Sequence, residues 1–281
     1  MSVVKFIMLR YFIVPDQDSL FYQGKPDEDK REIFASAVFR NQKFVGKRNV
    51  TISILGVSWS DELVMGKLGR ERVAVLASKT QDDIKDVKIR HWPYLRFVGS
   101  PAEQLLVFEW KSRPGFTIES LCRILSELAT DGMFEYGYVV HFEPLVHKEA
   151  FWNIVRQRKV CMVRFTLNAP NLFEAHQAAE QSLKKLNDMF NNIETTVTLS
   201  NPGGTLRIPE ENLGSYVEYC NRGGGQWELE TTHEGRRHKL KSTHSPICIT
   251  IDASDMTDDV MLRLAVKKAV DAEWEIRNVS D

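Results

Sequence analysis

The 281-residue sequence has no Cys-x-x-Cys pair, no His-Glu-x-x-His, no Gly-Lys-Ser/Thr step and no Gly-x-Ser-x-Gly elbow. Those absences exclude the local signatures of a zinc knuckle, a zinc-protease helix, a P-loop nucleotide site and a serine-hydrolase nucleophile. A Gly-x-Gly-x-x-Gly turn between strand and helix is missing too, so no cofactor is expected. Charge of one sign is not in excess, since the formal net charge is −1. Bulk attraction to a polyanion is excluded, and nucleic-acid binding would need a local basic patch. Cysteine is scarce: Cys122, Cys161, Cys220 and Cys248 stand far apart, as reduced, mostly buried thiols of a cytoplasmic protein do. The apolar run in residues 1–14 is too short to span a bilayer and reads as a strand, so no membrane insertion is expected. Repeats, heptads and low-complexity tracts are also lacking, which removes solenoids and coiled coils.

What is present is an ordinary globular composition, 43% hydrophobic and 27% charged. Its most regular stretch runs from Arg158 to Ile208. Lys159 to Leu167 is apolar and β-branched enough for a largely buried strand. Asn168-Ala169-Pro170-Asn171 breaks it and supplies a helix cap. Leu172, Ala175, Ala179, Leu183, Leu186 and Phe190 then recur at intervals of three and four, one apolar helix face, before a strand over Thr195–Leu199. Upstream, strands are predicted at Val3–Val14, Arg48–Trp59, Glu62–Lys67 and Arg72–Ser78, with a break at Gly69. A short exposed helix is predicted over Thr80–Lys88, a hairpin over Tyr94–Trp110, and a helix capped by Thr117. A strand over Tyr136–Phe142 and a helix over His147–Gln157 lead into the regular stretch. Downstream, Gly223-Gly224-Gly225 reads as a flexible loop, with strands over Gln226–Thr232 and Pro246–Ile251 and a closing helix over Met256–Glu273. The pattern predicts an α+β fold of mixed, largely antiparallel sheets with packed helices. Two subdomains are expected, residues 1–157 and residues 158–281, the second carrying a basic hairpin.

That hairpin is the main candidate site. Arg236, Arg237, Lys239 and Lys241 put four cations in six positions between two predicted strands. Alternation along a ribbon would display them on both faces, where they can meet phosphates. Arg156, Arg158 and Lys159 form a second basic group at the helix-to-strand junction. The alternative is a solvated loop that keeps a sheet edge soluble. His233, His238 and His244 are too widely spaced for a zinc site, so no metal is expected. Glu109-Trp110-Lys111 closes an apolar strand, and Glu-x-Lys there is the pattern of a metal-dependent nuclease, in which Asp82, Asp83 or Asp86 would supply the further carboxylate. The bland reading is a strand end with charges at its rim.

A family resemblance adds to these readings. The strand ending His141-Phe142-Glu143-Pro144-Leu145-Val146, the helix after it, and a strand of Val-x-Phe character resemble the phage-exclusion protein RexA of lambda-type prophages and related bacterial defence-locus proteins. The Lys-Leu-Gly-Arg step at Lys67–Arg70 and the order of elements around it agree with that. The resemblance implies a dimeric, sequence-nonspecific DNA-binding sensor in antiviral defence, signalling to a separate effector from a neighbouring gene. It supplies no catalytic residues. The expected function is therefore a non-enzymatic binder of duplex nucleic acid, DNA in preference, with a metal-dependent nuclease or toxin using Glu109 and Lys111 as the alternative. Val260, Leu264, Val270 and Trp274 on the closing helix suggest the surface of a homodimer.

Overall fold

The computed structural model describes residues 2–16, 30–46, 50–60, 62–79, 83–111, 115–169, 178–233 and 236–280. In chain order, β1 (Val3–Pro15), α1 (Lys30–Val38), β2 (Gln42–Val45), β3 (Thr51–Ser60) and β4 (Leu63–Arg70) come first. They are followed by β5 (Arg72–Lys79), β6 (Ile84–His91), β7 (Tyr94–Ser100), β8 (Leu105–Glu109), α2 (Ile118–Met133) and β9 (Tyr138–Pro144). The second half holds α3 (Lys148–Gln157), β10 (Lys159–Asn168), α4 (Ala178–Phe190), β11 (Glu194–Ser200) and α5 (Glu210–Asn221). It ends with β12 (Gly225–His233), β13 (Arg236–Lys241), β14 (Cys248–Asp252) and α6 (Asp259–Ser280). The fold is α+β, with antiparallel sheets throughout, as the sequence pattern predicts.

β1 is the centre of the larger sheet, whose order is β14-β1-β8-β7-β4-β3-β2, with β9 also on β1. One edge of β1 pairs with β14 over Val3–Ile7 and then with β9 over Leu9–Pro15, and the other edge pairs with β8. Its poor alternation is explained by burial on both faces. Ile7, Leu9, Tyr11 and Ile13 pack with α1 and α2 through Phe34, Leu121, Leu125 and Leu128. Phe6 and Met8 pack on the other side with α6 through Leu262, Val266 and Val270. Each such side chain withdrawn from water contributes roughly 1.5–3 kcal/mol. Thr117 caps α2 as predicted, in a reciprocal box with Ser120. β9 has no second strand partner among the described residues, and α2 satisfies its edge instead. The amides of Phe142 and Val140 donate to Ser126 Oγ at 2.9 Å and Thr130 Oγ1 at 3.0 Å.

The smaller sheet has the order β11-β10-β12-β13. Val163, Phe165, Leu167, Trp227 and Leu229 bury one face of it against Phe151 and Trp152 of α3, Leu183 of α4, and Leu213 and Val217 of α5. Where the two sheets meet, the triple glycine is a close junction, not a flexible loop. A Cβ on Gly223 would lie 2.8 Å from Arg10 Cβ, one on Gly224 2.4 Å from the Tyr219 ring, and one on Gly225 2.2 Å from the Thr166 carbonyl oxygen. Only hydrogen fits there.

Other expectations change. The segment expected as a helix over Thr80–Lys88 is, where described, the strand β6. It pairs with β5 in a separate two-stranded ribbon. Gly69 does not break its strand but lies inside β4. β14 does not flank the basic segment, because it returns to β1 in the larger sheet. The division expected near residue 157 falls where the chain leaves the larger sheet, but residues 246–280 come back to it. Among the described residues, no helix is long and apolar enough to cross a membrane.

Candidate nucleic-acid interface

The basic segment Arg236–Lys241 is itself a strand, the edge of the smaller sheet among the described residues. Period-two alternation divides its side chains between faces. Lys241 lies opposite Glu228, Lys239 opposite Glu230 and Arg237 opposite Thr232, all on the face turned away from α3, α4 and α5. Leu240 is on the helix-covered face beside the core, with His238 and Arg236 further along that side and exposed. The segment is thus the edge strand of a four-stranded sheet and not a separate two-stranded ribbon, with Arg237, Lys239 and Lys241 on one face and Arg236 on the other.

The open face is not uniformly basic. Lys239 Nζ lies 2.7 Å from Glu228 Oε1, and Arg164 reaches the same oxygen at 3.7 Å. Lys241 Nζ lies 3.6 Å from Glu119 Oε1 on α2, whose carboxylate also accepts from Thr243 Oγ1 at 2.9 Å. Arg156 is held by Glu149 at 2.9 Å and Asn153 at 3.1 Å. These pairs are partly exposed and contribute at most about 1 kcal/mol each. They do lower the positive potential along the middle of the sheet.

The remaining four candidates converge at one end. The register places Lys159 of β10 opposite Thr232 of β12, and Thr232 opposite Arg237 of β13. Lys159 and Arg237 thus share a face and a row, two strand spacings or about 10 Å apart. Arg158, the C-cap of α3, precedes Lys159, and Arg236 precedes Arg237 on the edge strand. Among the described residues, no carboxylate forms an ion pair with Arg158, Lys159, Arg236 or Arg237. Two groups separated by almost eighty residues thus reach the same end of the sheet, Lys159 and Arg237 in one row on the open face and Arg236 on the other face. Arg164, Glu228 and Glu119 are not marked as site residues by any sequence motif. The alternation of Arg164 against Val163 and Phe165 was the available signal.

The nuclease alternative fares differently. Glu109 is buried at the end of β8, opposite Phe6, with its Oε1 2.7 Å from Lys111 Nζ. Lys111 also lies 5.2 Å from the Tyr94 ring centroid. No group of three or more His, Cys, Asp or Glu residues able to hold a metal ion occurs among the described residues. Asp83 precedes β6 and Asp86 lies within it, while Asp82 falls outside the described residues. Glu109 and Lys111 read as a neutralised strand end.

Two polar features lie elsewhere. Glu143 on β9 accepts from Gln226 Nε2 at 2.7 Å across the sheet junction. Burial pushes its carboxyl up to about 7, and the amide hydrogen bond opposes that shift. Arg263 of α6 is buried and donates to the carbonyl and hydroxyl oxygens of Ser58, fastening α6 to the β-bulge of β3. It lines a cleft of ≈ 560 Å³ with Glu62, Glu103, Lys267 and Asp271, a set of mixed charge with no nucleophile–base pair.

The fold is that of an α+β protein built on antiparallel sheets. The chain belongs to the family described as Domain of unknown function (DUF4747), whose model matches residues 73–271, from β5 into α6. No curated protein matches it.

Proposed function

We propose that this chain is a non-enzymatic protein that binds duplex nucleic acid through its phosphates, with DNA as the preferred form. The observation that carries the reading is that Arg158, Lys159, Arg236 and Arg237 reach the same end of the smaller sheet. Backbone contacts made by unpaired cations at a sheet edge position a duplex without reading its bases, so binding is independent of sequence. A place in antiviral defence, as a sensor that signals to an effector, is part of the proposal and rests on the sequence resemblance to RexA alone.

The test is the salt dependence of binding to unrelated duplexes. Four phosphate contacts per chain give a log–log slope of roughly −4, because each neutralised phosphate releases condensed counterions. Changing Arg158, Lys159, Arg236 and Arg237 together to alanine should weaken binding to all sequences about equally and flatten the slope. Changing Lys239 and Lys241, already paired to Glu228 and Glu119, should do much less. A folded quadruple variant with unchanged affinity and slope overturns the proposal.

A further inference from the structure

The ribbon of β5 and β6 continues the β4–β7 hairpin past the edge of the larger sheet, and the Arg70 amide still bonds the Pro93 carbonyl at its root. Eight residues per strand carry it about 26 Å outward. Every residue of β6 is exposed, as are the outer residues of β5 from Val75 onward. An isolated two-stranded ribbon is marginal in water, so a covering partner has something to gain. Its apolar content is not that of a solvated loop: Leu76 is 52% exposed, and Val87 and Ile89 are each 43% exposed.

Register decides what could cover it. Ala74 opposes Ile89 and Leu76 opposes Val87 on one face, while Val73, Val75 and Ile84 share the other with the charges. On the other face Asp86 opposes Ala77 and Lys88 opposes Val75, so neither charge meets its complement within the ribbon. Among the described residues, neither Asp86 nor Lys88 forms an ion pair. They flank Val87 on a strand whose outer edge has no strand partner among the described residues, and an open edge is a template for another strand. Acid and base at positions i−1 and i+1 of a residue are self-complementary about a two-fold axis through it. β6 carries Lys85, Lys88 and Arg90 against Asp86, so the sign of its charge does not choose the partner; what points to a second copy is that Asp86 and Lys88 stand symmetrically about Val87.

We propose that this ribbon is a self-association arm. Two chains pair β6 with β6 antiparallel about Val87, so that Asp86 of each copy lies opposite Lys88 of the other. The same register aligns Leu76, Val87, Val87 of the second copy and its Leu76 in one apolar row across four strands. Lys85 and Arg90 then lie opposite Ile89 and Ile84 of the other copy, where their aliphatic stems cover apolar surface. The interface is isologous and closes as a dimer. It is independent of the basic end of the smaller sheet, and its test needs no nucleic acid.

The experiment is sedimentation and light scattering of the full chain from about 1 to about 100 µM, a range spanning the affinities of modest interfaces. The wild type should form a concentration-dependent dimer. Lys88→Asp alone sets acid against acid, and Asp86→Lys alone sets base against base, so each should weaken self-association about tenfold or more. Mixing the two single variants should restore a dimer, as should combining both changes in one chain. In a Cys248→Ser background, Val87→Cys should cross-link two chains under oxidation and Val75→Cys should not, because only position 87 faces its own copy at disulfide distance. Circular dichroism should stay unchanged, since the altered residues are exposed. A wild type that is monomeric throughout, single variants that dimerise as well as the wild type, or a mixture that fails to pair overturns the arm.

Discussion

Glu143 shows how little a single residue reveals of its setting before the fold is known. In sequence, Glu143 is one residue of the strand-ending string His141–Val146 and carries no sign of its surroundings. In the structure the carboxyl sits at the sheet junction beneath Gln226, with its pKa raised from 4.5 to about 7. A raised carboxyl pKa means the folded state holds the proton more tightly than the unfolded chain. That contribution is fully present below about pH 4.5 and is lost as pH rises through about 7. A glutamine side chain at this position keeps an acceptor for Gln226 and cannot ionise. Glu143→Gln should therefore stabilise the protein at pH 8 by on the order of 3 kcal/mol while changing it little at pH 4.5, as read from urea denaturation at both pH values. Nearby His141, whose own pKa is lowered by burial, is common to both proteins and cancels in the comparison. The glycines make a second residue-scale test. Gly225→Ala drives a Cβ into the Thr166 carbonyl and should cost at least about 2 kcal/mol. Gly203→Ala, whose nearest neighbour is Asn201 Oδ1 at 3.3 Å, should stay within about 0.5 kcal/mol.

Elements are most legible in the sequence where periodicity and capping agree. α2 is visible because Thr117 starts it and Leu121, Leu125 and Leu128 repeat along one face. β6 is not visible, because Ile84-Lys85-Asp86-Val87-Lys88 carries the charges of an exposed helix. What decides its conformation is the neighbouring Val73–Ala77 segment, which offers it a strand partner. The closing helix is evident from its periodicity, but its exposed face is narrower than the sequence suggests. Val270 is buried and Trp274 packs against the same core, while Val260 and Leu264 remain exposed. α2 also performs a task no sequence pattern indicates, since Ser126 and Thr130 stand in for the missing strand beside β9. Ser126→Ala with Thr130→Ala would leave two β9 amides without acceptors, at about 1–3 kcal/mol each. Chemical denaturation should register that loss, and hydrogen exchange should report lost protection first at Val140 and Phe142.

At the scale of the whole molecule the chain closes on itself. β14 lies beside β1, so the larger sheet is complete only when residues near both ends of the sequence are together. Sequence order could not show this, because strand pairing between residues 3 and 252 leaves no local trace. It also moves the natural cut. All thirteen residues of the buried cluster beneath the smaller sheet, from Phe151 to Leu229, lie between residues 146 and 245. A fragment of residues 146–245 should therefore fold cooperatively, as judged by far-UV circular dichroism through a urea titration. It keeps Arg158, Lys159, Arg236 and Arg237 and should retain salt-dependent duplex binding. Lacking the β5–β6 arm, it should do so as a monomer. A fragment cut at the sequence-based boundary, residues 158–281, should not fold cooperatively. It lacks Phe151 and Trp152, whose loss from a core costs roughly 3–5 kcal/mol each. It also carries β14 and α6 without Phe6, Met8 and Val107, so the faces of Ile249, Leu262 and Val266 are left in water. Cooperative unfolding of 158–281, or failure of 146–245 to fold, would show that the two sheets depend on each other more than their separate cores imply.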